Sequence, residues 1–262
     1  MNNIQQRVQE VKTNGYDLDF GDIFNQSLEN FKKISLSSGL ALFIFTMIML
    51  MFFGGGAAAL YGADSLVTEM ASLSNIGAFS IVGLLTYFVT LVLVACVVAP
   101  FYSGLLKMAF LADNNEEFSL STAFDYYKSS FLKELISAQV IISLFTVGIT
   151  ILFEKIGFSF VGGFLTYAIS FATIFVNLFI IFGNLKAVEA INASLIIVTK
   201  KMPVLLGLFI VGLIIACLGA IGLCIGVFFT MPFIFSLEYI IFKNIFDIQN
   251  VSEIDEIGTF KE

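Results

Sequence analysis

Few side chains in this sequence have the chemistry of a functional site, and these few stand inside long apolar runs. The run CLGAIGLCIGVFFTMPFIFSLEYIIF at 217–242 contains one acid, Glu238, and one proline, Pro232. A carboxylate among apolar residues is costly to bury without a partner, so Glu238 is a candidate functional residue. It stands five residues before Lys243, near the end of the run. We therefore expect it to reach the membrane interface or to pair there, and a functional carboxylate is the alternative.

Two prolines and an asparagine could shape a site within the apolar runs. Pro100 in VVAPFYSGLLK and Pro232 in FFTMPFIFSLEYIIFK are each followed by an aromatic residue and then by a charge. Proline is common in membrane helices, and we favour this ordinary explanation for both. The alternative is that both prolines bend their helices and gate a cytoplasmic vestibule, because proline frees a backbone carbonyl and kinks a helix. Asn177 stands where proline would align in FVNLFIIFGNLK, and a hydrogen bond between helices is its ordinary role.

The sequence lacks the residues that most catalytic and metal sites require. It contains no histidine, which removes the commonest general base and metal ligand. Its three cysteines, Cys96, Cys217 and Cys224, lie in apolar runs and are expected to be small buried hydrophobic residues. No phosphate-binding glycine loop and no nucleophile paired with a base is present. We predict no enzymatic activity, no cofactor and no metal.

The chain that carries these residues is too apolar for a soluble domain. Of its 262 residues, 58% are hydrophobic and 13% are charged. About 20 apolar residues are needed to cross a hydrocarbon core about 30 Å thick. The apolar runs are continuous rather than alternating, so the spans are helices. We predict an all-α membrane protein with six transmembrane helices, at 36–60, 78–100, 135–153, 160–183, 203–220 and 224–244.

The basic residues predict how these spans are oriented. Of the 13 lysines and arginines, all except Lys155 fall on one side of the six spans. Basic residues near transmembrane helices favour the cytoplasmic side, so both termini are expected in the cytoplasm. The net charge of −7 comes mostly from the two tails and the 113–134 loop. No basic patch is interleaved with aromatic residues, so nucleic acid is not an expected partner.

Each pair of spans follows a short segment with apolar residues at helical spacing and lysine near its end. Such segments are typical of amphipathic helices in the membrane interface, although any loop that enters a membrane can resemble one. We predict three parallel repeats, 20–111, 119–184 and 186–246, within one membrane domain at 20–246. A polar tail at 1–19 precedes this domain and an acidic tail at 247–262 follows it. The apolar positions are Phe20, Phe24, Leu28 and Phe31; Leu120, Phe124, Tyr127 and Phe131; and Val188, Ile191, Leu195 and Val198.

Small residues near the fifth and sixth spans predict close helix packing. Gly212, Ala216 and Ala220 are four residues apart, as are Gly222 and Gly226. Small side chains at this spacing let helix backbones approach closely, either within one chain or between subunits. The glycines between the two spans are also expected to form the tight turn.

The segment AINASLIIVTKKMPVLLGLFIVGLIIACLGAIGLCIGVFFTMPFIFSLEYIIF resembles a repeated unit of poorly characterised bacterial six-span membrane proteins. This group includes the membrane domain attached to some glycerophosphodiester phosphodiesterases. The shared pattern is an amphipathic helix, a hairpin with a glycine-rich turn, and an end rich in proline and aromatic residues. The resemblance covers 20–246 and implies a protein of the bacterial cytoplasmic membrane without catalytic residues. The phosphodiesterase domain itself is absent from this sequence.

Two functions are compatible with these features. The first, which we favour at this point, is a non-enzymatic scaffold or accessory subunit that binds a membrane-protein partner, lipid or further copies of itself. The second is a transporter or binder of a lipid or small apolar molecule, with Glu238 and Asn177 in its path and Pro100 and Pro232 as gates. The scarcity of polar residues in the spans favours the first, because paths for ions or polar solutes usually need more of them.

Overall fold

The computed structural model describes residues 3–56, 81–221, 225–246 and 248. These residues are almost entirely helical and contain no strand. A π-helical turn, Leu50–Gly54, extends α2, and 3-10 helices lie at Leu120–Lys128 and Gly219–Ile221. The α-helices are α1 (Asn3–Asn14), α2 (Phe20–Met49), α3 (Ile81–Asp113), α4 (Leu132–Lys155), α5 (Ser159–Ala172), α6 (Val176–Ile181), α7 (Ala187–Lys200), α8 (Met202–Leu218), α9 (Gly226–Thr230) and α10 (Pro232–Phe246).

Six helical segments of the described chain are long and apolar enough to cross a membrane. The prediction of a multi-pass, all-helical membrane protein is therefore confirmed. The observed spans begin earlier or end later than several predicted ones, because helices continue into the polar segments beside them. They are Phe20–Gly54, Gly83–Asp113, Leu132–Lys155, Ser159–Ile181, Met202–Ile221 and Gly226–Phe246. Parts of the predicted spans 36–60, 78–100 and 224–244, and all of the acidic tail except Ile248, lie outside the described residues.

The first predicted interfacial helix is not a separate element. It is the first half of α2, which runs without a break from Phe20 to Met49. The face of α2 that is buried in the protein carries Ile23, Ser27, Asn30 and Ile34. The predicted apolar position Phe20 lies on the exposed side of the helix. The other two predicted segments are separate helices, the 3-10 helix Leu120–Lys128 and α7.

The two prolines affect their helices differently. Pro100 lies inside α3, which stays helical for 33 residues. Pro232 begins α10, and the turn at Met231 separates it from α9. Because proline has no N–H and fixes φ near a helical value, the first position of a helix suits it. The sixth span is thus broken at Pro232, whereas the second span remains one helix through Pro100.

The most buried helix is α10, in which 12 of 15 residues are buried. It packs against α2, α3 and α8. Its aromatic residues meet those of its neighbours, as in the edge-to-face pair of Phe31 and Phe233 with ring centroids 5.7 Å apart. The core therefore lies around α10, toward the end of the molecule where α2 begins and α3 ends. We call this end the basic end, because it holds most of the lysines, including Lys33, Lys107 and Lys243.

Polar contacts fasten α1 and the connecting segments across the basic end. The Arg7 guanidinium donates a hydrogen bond to the Ile245 carbonyl at the end of α10, 3.2 Å away. The Tyr16 hydroxyl donates to the Ile197 carbonyl of α7 at 3.0 Å. Lys201 lies 2.7 Å from the Asp17 carboxylate. A hydrogen bond from Lys201 and its positive charge lower the pKa of Asp17. Residues 3–19 of the predicted polar tail thus contact the helices of the membrane domain.

Small residues mediate the contact between the fifth and sixth spans, but not all the predicted ones. Gly212 and Ala216 are buried, whereas Ala220 is exposed and takes no part in this contact within the chain, so packing between subunits stays a prediction for it. Its place is taken by Gly219, since a Cβ on this residue would lie 2.5 Å from the Gly226 carbonyl oxygen. One residue of displacement decides which side of a helix a side chain faces, so the spacing alone could not fix the register. Gly222 lies outside the described residues.

Candidate functional site

Glu238 is completely buried in the described structure, with none of its surface exposed. It lies in the middle of α10, and its Oε2 accepts a hydrogen bond from the hydroxyl of Tyr102 on α3. Its Oε1 is also buried and has no hydrogen-bond partner among the described residues. The carboxyl group is therefore half satisfied, in a core where an unpartnered polar atom carries a free-energy cost.

The expected pairing of Glu238 at the membrane interface is wrong. Lys243 instead contacts Asp113, with Nζ and Oδ2 2.6 Å apart. The same Asp113 oxygen accepts a hydrogen bond from the Tyr239 hydroxyl at 2.9 Å. On a helix of 3.6 residues per turn, positions 239 and 243 share a face, whereas position 238 points about 100° away from 239. The face of α10 that carries Lys243 is thus not the face that carries Glu238.

A cavity of about 370 Å³ lies beside Tyr102, between α3, α4, α5 and α6. Its apolar lining includes Leu91, Val94 and Ile142, and its polar lining includes Gln139 and Asn177. These residues belong to segments that are long and apolar enough to cross a membrane. The cavity thus combines an apolar wall with a few hydrogen-bonding groups, which is the usual composition of a small-molecule site.

The geometry brings two of the four predicted site residues into one region. Asn177 lines the cavity directly, and Glu238 is reached from it through the Tyr102 side chain. The predicted prolines do not line the cavity. Pro100 lies in α3 between two residues that do, Ala99 and Tyr102, so it shapes the helix that forms this wall. Pro232 begins the helix that carries Glu238.

A break in the fourth span provides the wall of the cavity that faces Tyr102. The chain leaves α5 at Ala172, makes a turn at 173–175 and continues as α6 from Val176. The Ser194 hydroxyl of α7 binds backbone groups on both sides of this break. It donates to the Ala172 carbonyl at 2.8 Å and accepts from the Phe175 N–H at 3.2 Å. The freed backbone groups are thus paired inside the protein, as the membrane interior requires.

A second group of buried polar residues joins α2, α3 and α10 near the site. Asn30 is 3% exposed and donates through Nδ2 to the Ala109 carbonyl of α3 at 2.7 Å. Its Oδ1 accepts a hydrogen bond from the Ser236 hydroxyl of α10 at 2.8 Å. One asparagine thus fixes the relative position of three helices. Since Ser236 stands two residues before Glu238, the same contacts help to hold the carboxyl group in place.

Sequence reasoning missed Tyr102 and Asn30, and only one of them left a usable signal. Ser27, Asn30 and Ser38 stand on one face of α2 at spacings of three and eight, together with the apolar residues Ile23 and Ile34, a pattern that favours buried polar contacts. Tyr102 resembles any other aromatic residue near a helix end. Its importance comes from a contact with a residue 136 positions away, which no local pattern reveals.

The acidic and cysteine side chains of the described residues are scattered rather than clustered. The described residues contain no group of three or more histidine, cysteine, aspartate or glutamate side chains placed to hold a metal ion. Cys96 is half-buried and Cys217 is exposed, so the expected burial of the cysteines is wrong for Cys217. Cys224 lies outside the described residues. No family model matches the chain, and no curated protein or solved structure is significantly similar to it.

Proposed function

We propose that the protein binds a small, largely apolar molecule or a lipid in the cavity beside Tyr102, as a carrier or a binding protein. The observation that supports this is the cavity itself, about 370 Å³ in volume, apolar on most sides and next to a buried carboxyl group. A cavity of this size accommodates a drug-sized molecule or part of an acyl chain. This function was the alternative at the level of the sequence. The described contacts favour it over a scaffold.

The position of the cavity also suits a ligand that arrives from the lipid. It is lined by spans 2, 3 and 4 and contains no charged residue. Outward-facing residues of the same helices, such as Leu93 and Leu144, are exposed apolar side chains of the kind that contact acyl chains. A path for an ion or a sugar would need more polar groups, whereas an apolar ligand requires few.

We further propose a bacterial cytoplasmic membrane location with both termini in the cytoplasm, and three repeats of an interfacial segment followed by two spans. The lysines at the basic end support this orientation. The repeats are supported by the exposed side chains of Leu120 and Phe124 in the 3-10 helix and of Val188 and Leu195 in α7. Outward apolar residues on these short helices suit contact with the acyl chains just below the headgroups.

Native mass spectrometry of gently extracted protein tests the binding function. We expect a small molecule or lipid to remain bound to the wild type and to be lost in Ala95→Leu, which fills the cavity from α3. Thr90→Leu is the matched control, because Thr90 is on the same helix but is exposed and does not line the cavity. Equal retention in Ala95→Leu and Thr90→Leu would show that the bound molecule lies elsewhere.

The scaffold or accessory-subunit function stays a prediction with its own outcome in the same experiment. Part of the small-residue surface expected to bind partners is used inside the chain, since Gly212 and Ala216 face the sixth span. A second protein in fixed stoichiometry, retained equally by wild type and Ala95→Leu, would support the scaffold. Without such a partner, the bound small molecule identifies the ligand class.

A further inference from the structure

Among the described residues that line the cavity, Tyr102 is the one that forms a hydrogen bond with Glu238. Its ring lines the cavity, and its hydroxyl donates a hydrogen bond to Glu238 Oε2. Glu238 itself is not part of the cavity wall. The Tyr102 side chain therefore links the cavity wall to a buried carboxyl group.

The carboxyl group has unused hydrogen-bonding capacity on its other oxygen. Oε1 of Glu238 is buried and has no partner among the described residues. An orphaned acceptor in a protein interior carries a free-energy cost, so its presence calls for an explanation. A donor from a bound molecule would satisfy it.

No lysine or arginine of the described residues forms a hydrogen bond or an ion pair with Glu238. The helices that pack against α10 include α2, α3, α6, α8 and α9. None of α6, α8 and α9 contains a charged residue. On α1, Arg7 donates to the Ile245 carbonyl and pairs with Glu10. On α2, Lys33 donates to the Ala112 carbonyl and to Asn115. On α3, Lys107 pairs with Asp125 at 3.0 Å, and on α10 itself Lys243 pairs with Asp113.

The remaining charged and titratable groups of these helices also lack a contact with Glu238. Asp113 and Tyr239 bind each other, and Asp113 holds Lys243. Cys96 on α3 and Cys217 on α8 have free thiols. The acids Asp22 and Glu29 and the cation Lys32 lie on exposed positions of α2. Glu238 is thus a buried acceptor with one neutral donor, Tyr102.

We propose that the ligand of the cavity is an amphiphile whose headgroup donates hydrogen bonds, an ammonium above all, and that Glu238 accepts from this headgroup. The inference rests on the proposed binding function and names its ligand class. The alkyl chain lies against Leu91, Val94, Val98 and Ile142, while the Tyr102 ring swings aside to admit the headgroup. A carboxylate headgroup is rejected, because it offers no donor to the buried Oε1.

Three probes with the same alkyl chain test the proposal: dodecylamine, dodecanol and dodecanoate. Their binding to protein in detergent is measured by native mass spectrometry at neutral pH. For wild type we expect dodecylamine to bind at least about tenfold more tightly than dodecanoate, as a charge-assisted hydrogen bond provides. Glu238→Gln keeps the shape of the side chain and is expected to reduce that ratio to about one. Thr90→Leu, on the outer surface of α3, leaves the ratio unchanged.

A second variant keeps the test decisive where Glu238→Gln fails to fold. Tyr102→Phe retains the carboxyl group and frees Oε2, so the preference for dodecylamine is expected to be kept or increased. An unchanged ratio in Glu238→Gln, or a lost preference in Tyr102→Phe, overturns the proposal. Wild type that binds all three probes equally, and loses all three in Ala95→Leu, refutes the headgroup preference and leaves the binding function standing. Wild type that binds none of the probes contradicts both.

Discussion

The contact between Asn30 and Ser236 offers the sharpest test of how the helices around Glu238 are held. Asn30 makes two hydrogen bonds, to the Ala109 carbonyl at 2.7 Å and from the Ser236 hydroxyl at 2.8 Å. Ser236→Ala removes the second bond alone and is nearly isosteric. Asn30→Ala removes both bonds and also leaves a void where the amide was.

The magnitudes follow from these contacts. A buried neutral hydrogen bond contributes about 1 kcal/mol, and bonds between membrane helices average slightly less. We expect Ser236→Ala to lower the free energy of unfolding by about 1 kcal/mol, and Asn30→Ala by about 2–3 kcal/mol because of the second bond and the void. The double variant should be less destabilised than the sum of the single variants by about 0.5–1 kcal/mol.

Unfolding by sodium dodecyl sulfate in mixed micelles, followed by circular dichroism, measures these differences. Circular dichroism is suitable because the chain contains no tryptophan for fluorescence. Leu36→Ala is the control on the same helix, since Leu36 is 71% exposed and contacts the surrounding micelle. Additive effects of Asn30→Ala and Ser236→Ala, or an Asn30→Ala effect no larger than that of Leu36→Ala, would show that Asn30 does not hold α2, α3 and α10 together.

Three further predictions concern packing, charge and orientation. Gly226→Ala places a Cβ against the Gly219 carbonyl and is expected to lower the free energy of unfolding by about 1–3 kcal/mol. Gly148→Ala is the control, because its Cβ would meet open space and should not lower the free energy of unfolding in the same assay. Lys201 lowers the pKa of Asp17 in the folded state. The ion pair therefore stabilises the folded protein at pH values above the pKa that Asp17 has in the unfolded chain, and this stabilisation is lost as the pH falls through the pKa of the folded state. Asp17→Asn should therefore be slightly less stable than wild type at neutral pH and equal to it in acid, and a difference that persists in acid would contradict this. Lys155→Cys in intact cells should react with a membrane-impermeant maleimide, and protection of this thiol would reverse the proposed orientation.

Much of the architecture could be predicted from the sequence because a bilayer restricts what a chain can do. Long charge-free runs allow helices and little else, so the six spans follow from the position of the charges. Their ends were less accessible. The segment at 20–33 is amphipathic, yet it continues straight into the first span, because no proline or glycine pair stops the helix between Phe20 and Met49.

The site was harder to predict, for a reason that Glu238 illustrates. Its distance from Lys243 along the chain suggested an interfacial pair, but the direction of the side chain on the helix decided the outcome. On α10 the adjacent residues Glu238 and Tyr239 face different partners: Glu238 faces Tyr102, and Tyr239 faces Asp113. The sequence also shows that Asn177 and Glu238 are unusual polar residues in apolar runs. It does not show that Tyr102 lines the same cavity as Asn177 and binds Glu238. Tertiary contacts at a separation of more than 100 residues carry that information.

The burial of α10 also affects how the protein is made. This helix follows in the chain all the helices it packs against, so Asn30, Tyr102 and Asp113 enter the membrane before Ser236, Glu238 and Lys243 exist to meet them. During translation the earlier spans therefore hold polar groups that have no partner, and final packing must wait for residues 232–246. An intermediate of this kind exposes surfaces that misassociate readily. A chain that ends before α10 would lack the 12 buried residues of this helix, and the groups that contact them would be left exposed within the bundle.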